Sequence, residues 1–527
     1  MTVVIPLLAC ALGALLSILL ALTPARRLPA PALGWLIAPA PALAFAALLA
    51  LSPQVLAGET LTWRIAWMPT LGLNATLTLD GLSLLFGLLV SGIGALVTIY
   101  AGYYFSGHEG SSEARFFVFL TLFMTAMLGL VLAGDVITLF VFWEGTSLTS
   151  FLLVGYKFKD EAARQAAFRA LFITGGGGIA LLAGLVLLMV LSGSAEFGAI
   201  LAQGTQLRAH WLYPVVVGLI ALGAFTKSAQ FPAHFWLPGA MSAPTPASAY
   251  LHSATMVKAG VYLLARLNPA LGYTDLWFWL LSVVGLTTML VGAYIGFKQN
   301  DLKALLAYST VSQLGALIAM IGQDTEIAFK ALTVSLTAHA LYKSALFLVT
   351  GIVDHETGTR DLQQLGGLWR AMPFTFAVAG LAALSMAGLP PLFGFLAKET
   401  QLATITHPSV PPAASAIFTA IVVVAGALVL AQAGLIVLDG FLGAPRRKHH
   451  AHEAPTPMWM APALPALGSL VIGLLPEPEW LATLLARAAS AASGAKVKVS
   501  LALWTGINIP LVLSAVAVLA GSTLLWT

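Results

Sequence analysis

Eight ionisable side chains stand inside long apolar stretches of this sequence: Glu144, Lys227, His252, Lys258, His339, Lys343, Lys398 and Glu399. Carboxylate, ammonium and imidazole groups share one chemistry, the reversible uptake and release of a proton. Apolar surroundings disfavour the charged form of each, and a neighbouring opposite charge restores it, so a buried pair whose spacing changes acts as a proton switch. Charged groups in a membrane interior are costly, about 3 kcal/mol each on insertion scales, and as a rule mark ion paths. No covalent catalysis is implied. The single cysteine, Cys10, excludes an internal disulfide, a Cys-ligated cluster or a CxxC redox pair, and neither a metal nor a cofactor is expected.

Spacing sharpens the reading. Glu144 lies mid-run in VITLFVFWEGTSLTSFLLVG, where the plain alternative is a protonated acid bonded to Thr146, Ser147 or a neighbouring helix. Lys227 precedes Pro232 and Pro238 in TKSAQFPAHFWLPGAMSAPTPASAYLHSATMVKAG, residues 226–260. Proline removes a backbone donor and clashes with the preceding turn, so no continuous helix passes both positions. Broken backbone at membrane depth is tolerated only inside protein or beside a water-filled cavity. A buried Glu144–Lys227 ion pair alone would be weak evidence for more than packing; the break beside it favours a switch. His252 and Lys258 share one run but lie far around a helix from each other. His252 is nearly as well read as a satisfied core histidine. His339 and Lys343, four apart, share one face of a helix with Ser335, Thr337 and Tyr342 nearby, which reads as a hydrated lane. Lys398 and Glu399 follow a second interruption at Pro390 and Pro391. Lys398 is read as a second switch lysine, and Glu399 as its route to the surface or its neutralising partner. Lys330 reads as an interfacial group with its stem in the apolar phase. Asp301 with Lys303 reads as an entrance group or an orientation anchor. Gly175–Gly178 read as a site of close helix packing. His449, His450 and His452 beside Arg446–Lys448 read as a solvated loop rather than a metal site.

The elements that position these groups follow from composition. Of 527 residues, 59% are hydrophobic and only 9% charged, against about 25% charged in soluble domains. The chain is therefore an all-α polytopic membrane protein lying in a lipid bilayer. The net charge of +4, without basic runs interleaved with aromatics, argues against nucleic-acid binding. A helix needs about 20 apolar residues to cross the hydrocarbon. That ruler predicts about 15 transmembrane helices, near 4–22, 31–51, 82–104, 116–133, 135–155, 166–191, 211–238 (broken), 248–267, 276–296, 304–321, 327–352, 373–401 (broken), 413–438, 459–475 and 503–525. Residues 52–80 alternate as a hairpin outside the membrane, and 196–208 and 477–490 read as short interfacial helices. The apolar run 3–22 is followed, not preceded, by Arg26-Arg27, which suits a first transmembrane helix rather than a cleaved leader. Loop lysines and arginines place the N-terminus outside and the C-terminus in the cytoplasm of the cell's inner (plasma) membrane. Proline-interrupted runs in corresponding positions of two halves point to an inverted-repeat transporter with its site near the midplane.

The stretches at 226–260, FWEGTSLTSFLLVGYKFKD, QNDLKALLAYSTVSQLG and SMAGLPPLFGFLAKE closely resemble the antiporter-like membrane subunits of respiratory complex I and of Mrp-type multisubunit Na+/H+ antiporters, over about residues 65–440. That resemblance implies two inverted five-helix repeats. The chain then divides into 1–110 with the hairpin, a first repeat at 111–270, a second at 271–442, and C-terminal helices at 443–527. It also implies that Glu144 and Lys227 form a coupled pair, that Lys343 is the central residue with His252 and His339 between, and that Lys398 is the exit group. The ATMVKAG form with Lys258 and the GGGG run resemble the A-type branch of Mrp subunits. That branch usually continues into a lateral helix and a further membrane domain; here these are expected as a separate polypeptide, or the chain as a related short form. The implied function is proton translocation coupled to export of Na+, or of K+ or Li+, among other membrane subunits of a hetero-oligomeric complex. The alternative is a proton-pumping membrane subunit of a complex I-like or membrane-bound hydrogenase redox complex.

Overall fold

The computed structural model describes residues 2–68, 73–106, 112–447, 451–475, 478–504 and 506–526, so Lys448, His449 and His450 lie outside the described residues. The chain opens with α1 (Ile5–Leu22), α2 (Ala30–Ile37) and α3 (Pro39–Ala57), and then two antiparallel strands, β1 (Leu61–Met68) and β2 (Leu73–Leu79), paired from Leu61↔Leu79 to Met68↔Leu73. Next come α4 (Gly81–Tyr104), α5 (Ser112–Leu132), α6 (Val136–Val154) and α7 (Glu161–Ser192). Two short helices, α8 (Phe197–Ala202) and α9 (Gly204–Ala209), precede α10 (Tyr213–Lys227), α11 (Trp236–Gly239), α12 (Thr245–Ser253) and α13 (Ala259–Leu271). The second half holds α14 (Asp275–Phe297), α15 (Leu302–Gly322), α16 (Glu326–Thr357), α17 (Pro373–Met386), α18 (Phe393–Ile405) and α19 (Pro412–Val437). The chain closes with α20 (Thr456–Leu474), α21 (Glu479–Ser493) and α22 (Ile509–Leu524).

Among the described residues, eleven helices are long and apolar enough to cross a membrane; α10, α17 and α22 are shorter apolar helices. The molecule is a multi-pass membrane protein. The hairpin expected within 52–80 is present as the ribbon of β1 and β2, although α3 runs on to Ala57 before it, and 196–208 splits into α8 and α9. Helix starts follow local chemistry. The side chains of Asp80, Asp135, Thr274, Asp301 and Thr325 each accept the amide of the third residue onward, which satisfies one of the donors a helix leaves free at its first turn.

The two expected interruptions are present, and both first halves end in the same way. After α10, Ala229 takes φ +49° and Gln230 N–H reaches back to Phe225 O at 2.9 Å. After α17, Gly388 takes φ +69° and Leu389 N–H reaches back to Leu384 O at 3.1 Å. A left-handed residue followed by a six-to-one bond is the Schellman ending, and the prolines behind it prevent resumption. Pro232, Pro390 and Pro391 lie in the connecting segments, whereas Pro238 lies within the short α11.

A third interruption departs from expectation. The run expected as a single span at 248–267 divides into α12 and α13 around a 3-10 turn, Met256–Lys258. No proline is involved. The hydroxyls of Ser253 and Thr255 donate to the carbonyls of Ala249 (2.5 Å) and Tyr250 (2.6 Å). Side-chain donors of this kind compete with the backbone ladder and let a helix end where hydropathy shows no boundary.

Burial identifies the axis of the bundle. In α16, 94% of its most apolar window is buried, against 33% in the N-terminal helix. Helix α16 therefore carries its polar groups inside the protein, while α1 presents leucines outward, as Leu12 and Leu22 show.

Candidate functional site

Lys227 is the last residue of α10, with its side chain fully buried. Its ammonium donates to Trp143 O (3.1 Å) and Ser147 Oγ (2.6 Å) on α6 and lies 5.0 Å from the Trp143 ring centre. Lys343, in the middle of α16, is held in the same manner by α15: it donates to Leu306 O (3.2 Å) and to Ser309 Oγ, with Met386 Sδ at 3.7 Å. In each case the serine hydroxyl donates in turn to the same carbonyl, Ser147 to Trp143 O (3.3 Å) and Ser309 to Leu306 O (3.0 Å). Two lysines from different halves thus share one cradle, a helix carbonyl plus a hydroxyl. Neither cradle holds a counter-charge. Among the described residues no ion pair within 4 Å joins Glu144 to Lys227, so the expected pair is not a closed salt bridge: Lys227 is bonded instead to Trp143 and Ser147, on the turn of α6 that also carries Glu144.

Glu144 stands half-buried on α6, with Oε1 buried and without a hydrogen-bond partner. Helix α7 closes over it. A Cβ on Gly178 would lie 2.2 Å from Glu144 Oε1, and one on Gly177 would lie 1.8 Å from Thr226 Oγ1. A Cβ on Gly175 would meet nothing within 4 Å. The glycine run does allow close packing, but only its last two residues need the space, and what they approach is Glu144 and the neighbour of Lys227.

Lys258, at the interruption between α12 and α13, is fully buried and donates to Leu336 O at 3.1 Å, one turn before His339 on α16. Ser228, next to Lys227, donates to Val257 O at 2.6 Å, next to Lys258. The end of α10 and the start of α13 are therefore tied together where these two lysines sit.

His252 and His339 are both fully buried, and neither ring has a protein partner for either nitrogen. Buried polar groups are nearly always hydrogen-bonded, to protein or to ordered water, so two unpartnered imidazoles mark places that suit water.

Lys398 and Glu399 lie on α18 beyond the second interruption. Lys398 reaches back across it to Ala387 O at 3.4 Å. Glu399 Oε1 is buried without a hydrogen-bond partner, and the residue lines a cavity of about 190 Å³ with Lys330, Thr400 and Asn508. Gln401, one turn from Lys398, donates to Ser335 Oγ on α16 at 3.0 Å, which ties this end of the series to the helix of His339 and Lys343. Lys330, expected from sequence as an interfacial group, is thus a wall of this cavity.

Lys303, by sequence an entrance group or anchor, is fully buried and donates to Met241 O (2.9 Å) and Ala243 O (2.7 Å), just before α12. Ser309 is a site residue that the sequence does not single out. Its signal, a hydroxyl in the LAYSTVSQLG run, is not specific, because serines and threonines there also bond their own helix.

The sequence and the fold find counterparts among known proteins. Residues 133–424 match the family model described as NADH:quinone oxidoreductase/Mrp antiporter, TM, and residues 65–117 match NADH-Ubiquinone oxidoreductase (complex I), chain 5 N-terminus. The A/B subunit of a probable K(+)/H(+) antiporter of Rhizobium meliloti (strain 1021) is 43% identical over 492 residues, 93% of this chain and 49% of that protein. The A1 subunit of a Na(+)/H(+) antiporter of Staphylococcus aureus (strain JH9) is 42% identical over 465 residues, 84% of this chain and 58% of that protein. The chain spans about half the length of the curated relatives it matches. A chain of the Mrp complex from Dietzia sp. DQ12-45-1b superposes with TM-score 0.89 at 38% identity, over 100% of this chain and 55% of that one. A chain of an archaeal membrane-bound sulfane sulfur reductase shares the fold, with TM-score 0.80 at 23% identity over 92% of this chain and 78% of that one.

Proposed function

Because this chain belongs to the NADH:quinone oxidoreductase/Mrp antiporter membrane family, we propose that it is a proton-translocating subunit of a multisubunit monovalent cation/proton antiporter, with Na+ as the exchanged cation and K+ or Li+ as alternatives. The observation that carries this reading is the succession of amines and imidazoles along the interrupted helices and the continuous α16: Lys227, Lys258, His252, His339 and Lys343 fully buried and Lys398 half-buried, without a closed ion pair to any of them among the described residues. Proton movement needs groups that exchange protons with water, and a salt-bridged lysine would give up its proton far less readily.

In this mechanism Glu144 attracts positive charge towards Lys227, whose proton is then passed on through water. Lys258, His252 and His339 relay it, Lys343 holds it at the centre, and Lys398 with Glu399 exchanges it with the cavity beside Asn508. The shared cradle of Lys227 and Lys343, and the shared ending of α10 and α17, support two inverted five-helix repeats, at 111–270 and 271–442, within about fifteen crossings. The ribbon of β1 and β2 then faces the outside, the N-terminus is external and the C-terminus cytoplasmic. The chain works among other membrane subunits in the cell's inner membrane.

The test is expression of the whole operon in a salt-sensitive host that lacks its own antiporters. Growth in salt is restored, and everted vesicles show a pH-gradient change on addition of Na+, K+ or Li+. Restored growth without cation-dependent proton movement would overturn the reading. The second reading, a proton-pumping subunit of a redox complex, draws on the match of residues 65–117 to the complex I model. It requires that proton movement in the vesicles follow an electron donor rather than an added cation.

The glycine contacts make a matched pair of variants informative. Gly178→Ala displaces the Glu144 carboxylate and lowers the transport rate about tenfold or more, since a displacement of about 1 Å at a reacting group can cost that much. Gly175→Ala, which meets nothing, transports as the parent does. Equal rates for the two variants would remove Glu144 from the pathway.

A further inference from the structure

On α13 a second polar line leaves Lys258, in the direction away from α16. Lys258 ends the 3-10 turn that leads into α13, and Tyr262 and Arg266 follow at four-residue steps, the last two on one face of α13 and about 6 Å apart along its axis. Tyr262 Oη accepts from Arg266 Nε (3.3 Å) and Nη2 (3.2 Å) and donates to Val131 O (2.8 Å). Arg266 also donates to both carboxylate oxygens of Asp80 and to Ser83 Oγ (2.9 Å). The Asp80–Arg266 pair forms the floor of a cavity of about 490 Å³ beneath the β-ribbon. Its walls carry the hydroxyls of Thr60, Thr62 and Thr78 and the carboxylate of Glu196. Thr60 and Thr62 are exposed and Thr78 is half-buried, so the cavity runs from the surface inwards to the ion pair. At about 30 Å³ per water, it has room for on the order of ten molecules.

We propose that this cavity is a second water-filled external port of the antiporter, joined to Lys258 through Tyr262 and closed by the Asp80–Arg266 pair. The inference rests on the antiporter reading above and adds an outlet for the first repeat, distinct from the Glu399 cavity. The closed state follows from the hydrogen bonds: with Arg266 seated, the Tyr262 oxygen accepts twice and donates once, and has no capacity left for passing a proton. When Arg266 swings into the cavity, the hydroxyl is released. A proton leaving Lys258 is then taken up by the Tyr262 oxygen as that hydroxyl gives its own proton to water or to the Asp80 carboxylate, so the tyrosine ends as it began. Arginine itself stays charged throughout and acts as the gate.

The experiment uses the complete complex and an impermeant cationic methanethiosulfonate applied from the ribbon side. The parent's own cysteine, Cys10, is buried, and the parent complex treated with the same reagent is the reference. Thr78→Cys, half-way down the cavity, is labelled and then loses transport about tenfold or more, as a fixed charge in a narrow water path would impose. Thr62→Cys, its cross-strand partner, gives the same result by a second route. Ile65→Cys, exposed on the same strand but outside the cavity wall, is labelled without loss. Labelled Thr78→Cys and Thr62→Cys complexes that keep the full parental rate would overturn the port, as would failure of both cysteines to react. A parent complex that itself moves no protons with added cation would instead overturn the antiporter reading.

Discussion

Vesicles carrying the Lys227→Ala form of the assembled complex show no cation-driven proton movement above background, a loss of about 100-fold or more, which is the scale set by removing one positioned proton-transfer group. The subunit remains at its normal level in the membrane. Its tolerance follows from the cradle: Ser147 Oγ already donates to Trp143 O, so truncating the lysine strands neither partner. Lys227→Arg separates two roles for the charge. Arginine keeps the cation but does not give up a proton, so a proton carrier is lost in this variant too, whereas a mere counter-charge to Glu144 would survive. Assembly is read from the amount of complex purified, and transport from the pH-gradient response to added cation. Full exchange in Lys227→Ala vesicles would remove the lysine from the mechanism.

Lys343→Met has an effect of the same order, about 100-fold or more on transport, with little change in assembly. Methionine fills nearly the same space with an unbranched apolar chain. Ser309 retains Leu306 O as its own acceptor, and Met386 offers an apolar neighbour. The two substitutions differ in what they leave behind. Proton uptake near Glu144 survives in Lys343→Met, because the first cradle is intact, while delivery to Lys398 fails. Solvent-isotope exchange into the first half, measured beside net transport, distinguishes the variants: Lys343→Met keeps that exchange and Lys227→Ala loses it. Unchanged net transport in Lys343→Met would show that the two halves conduct independently.

Most of the helical frame is legible from the amino acids in order. Bilayer-length apolar runs are local features, and so are the Asp and Thr caps and the proline-rich breaks at 232 and 390–391. The same locality explains the ribbon at 61–79, whose alternation needs no distant partner to be recognised. The Thr255 turn escapes such a reading because its cause is a pair of hydroxyl bonds, and an apolar sequence with Ser and Thr in it runs through many unbroken helices. Pro238 shows the reverse: a proline that reads as a break sits inside a short helix, since its missing amide falls where a helix start has no acceptor to offer.

The sequence by itself determined that ionisable groups are buried in a membrane bundle, Lys227, His252, Lys258, His339 and Lys343 among them though not Lys303 or Arg266, and that two helices carrying them are interrupted. Only the tertiary structure decided what they touch: the Ser147 and Ser309 cradles, Gly178 against Glu144, Lys303 on the carbonyls before α12, and Arg266 between Tyr262 and Asp80. The physical reason is range. Hydropathy and capping act over a turn or two of chain, whereas each of those contacts except that of Arg266 with Tyr262 joins segments from more than thirty to nearly two hundred residues apart, and its partner is set by how whole helices pack.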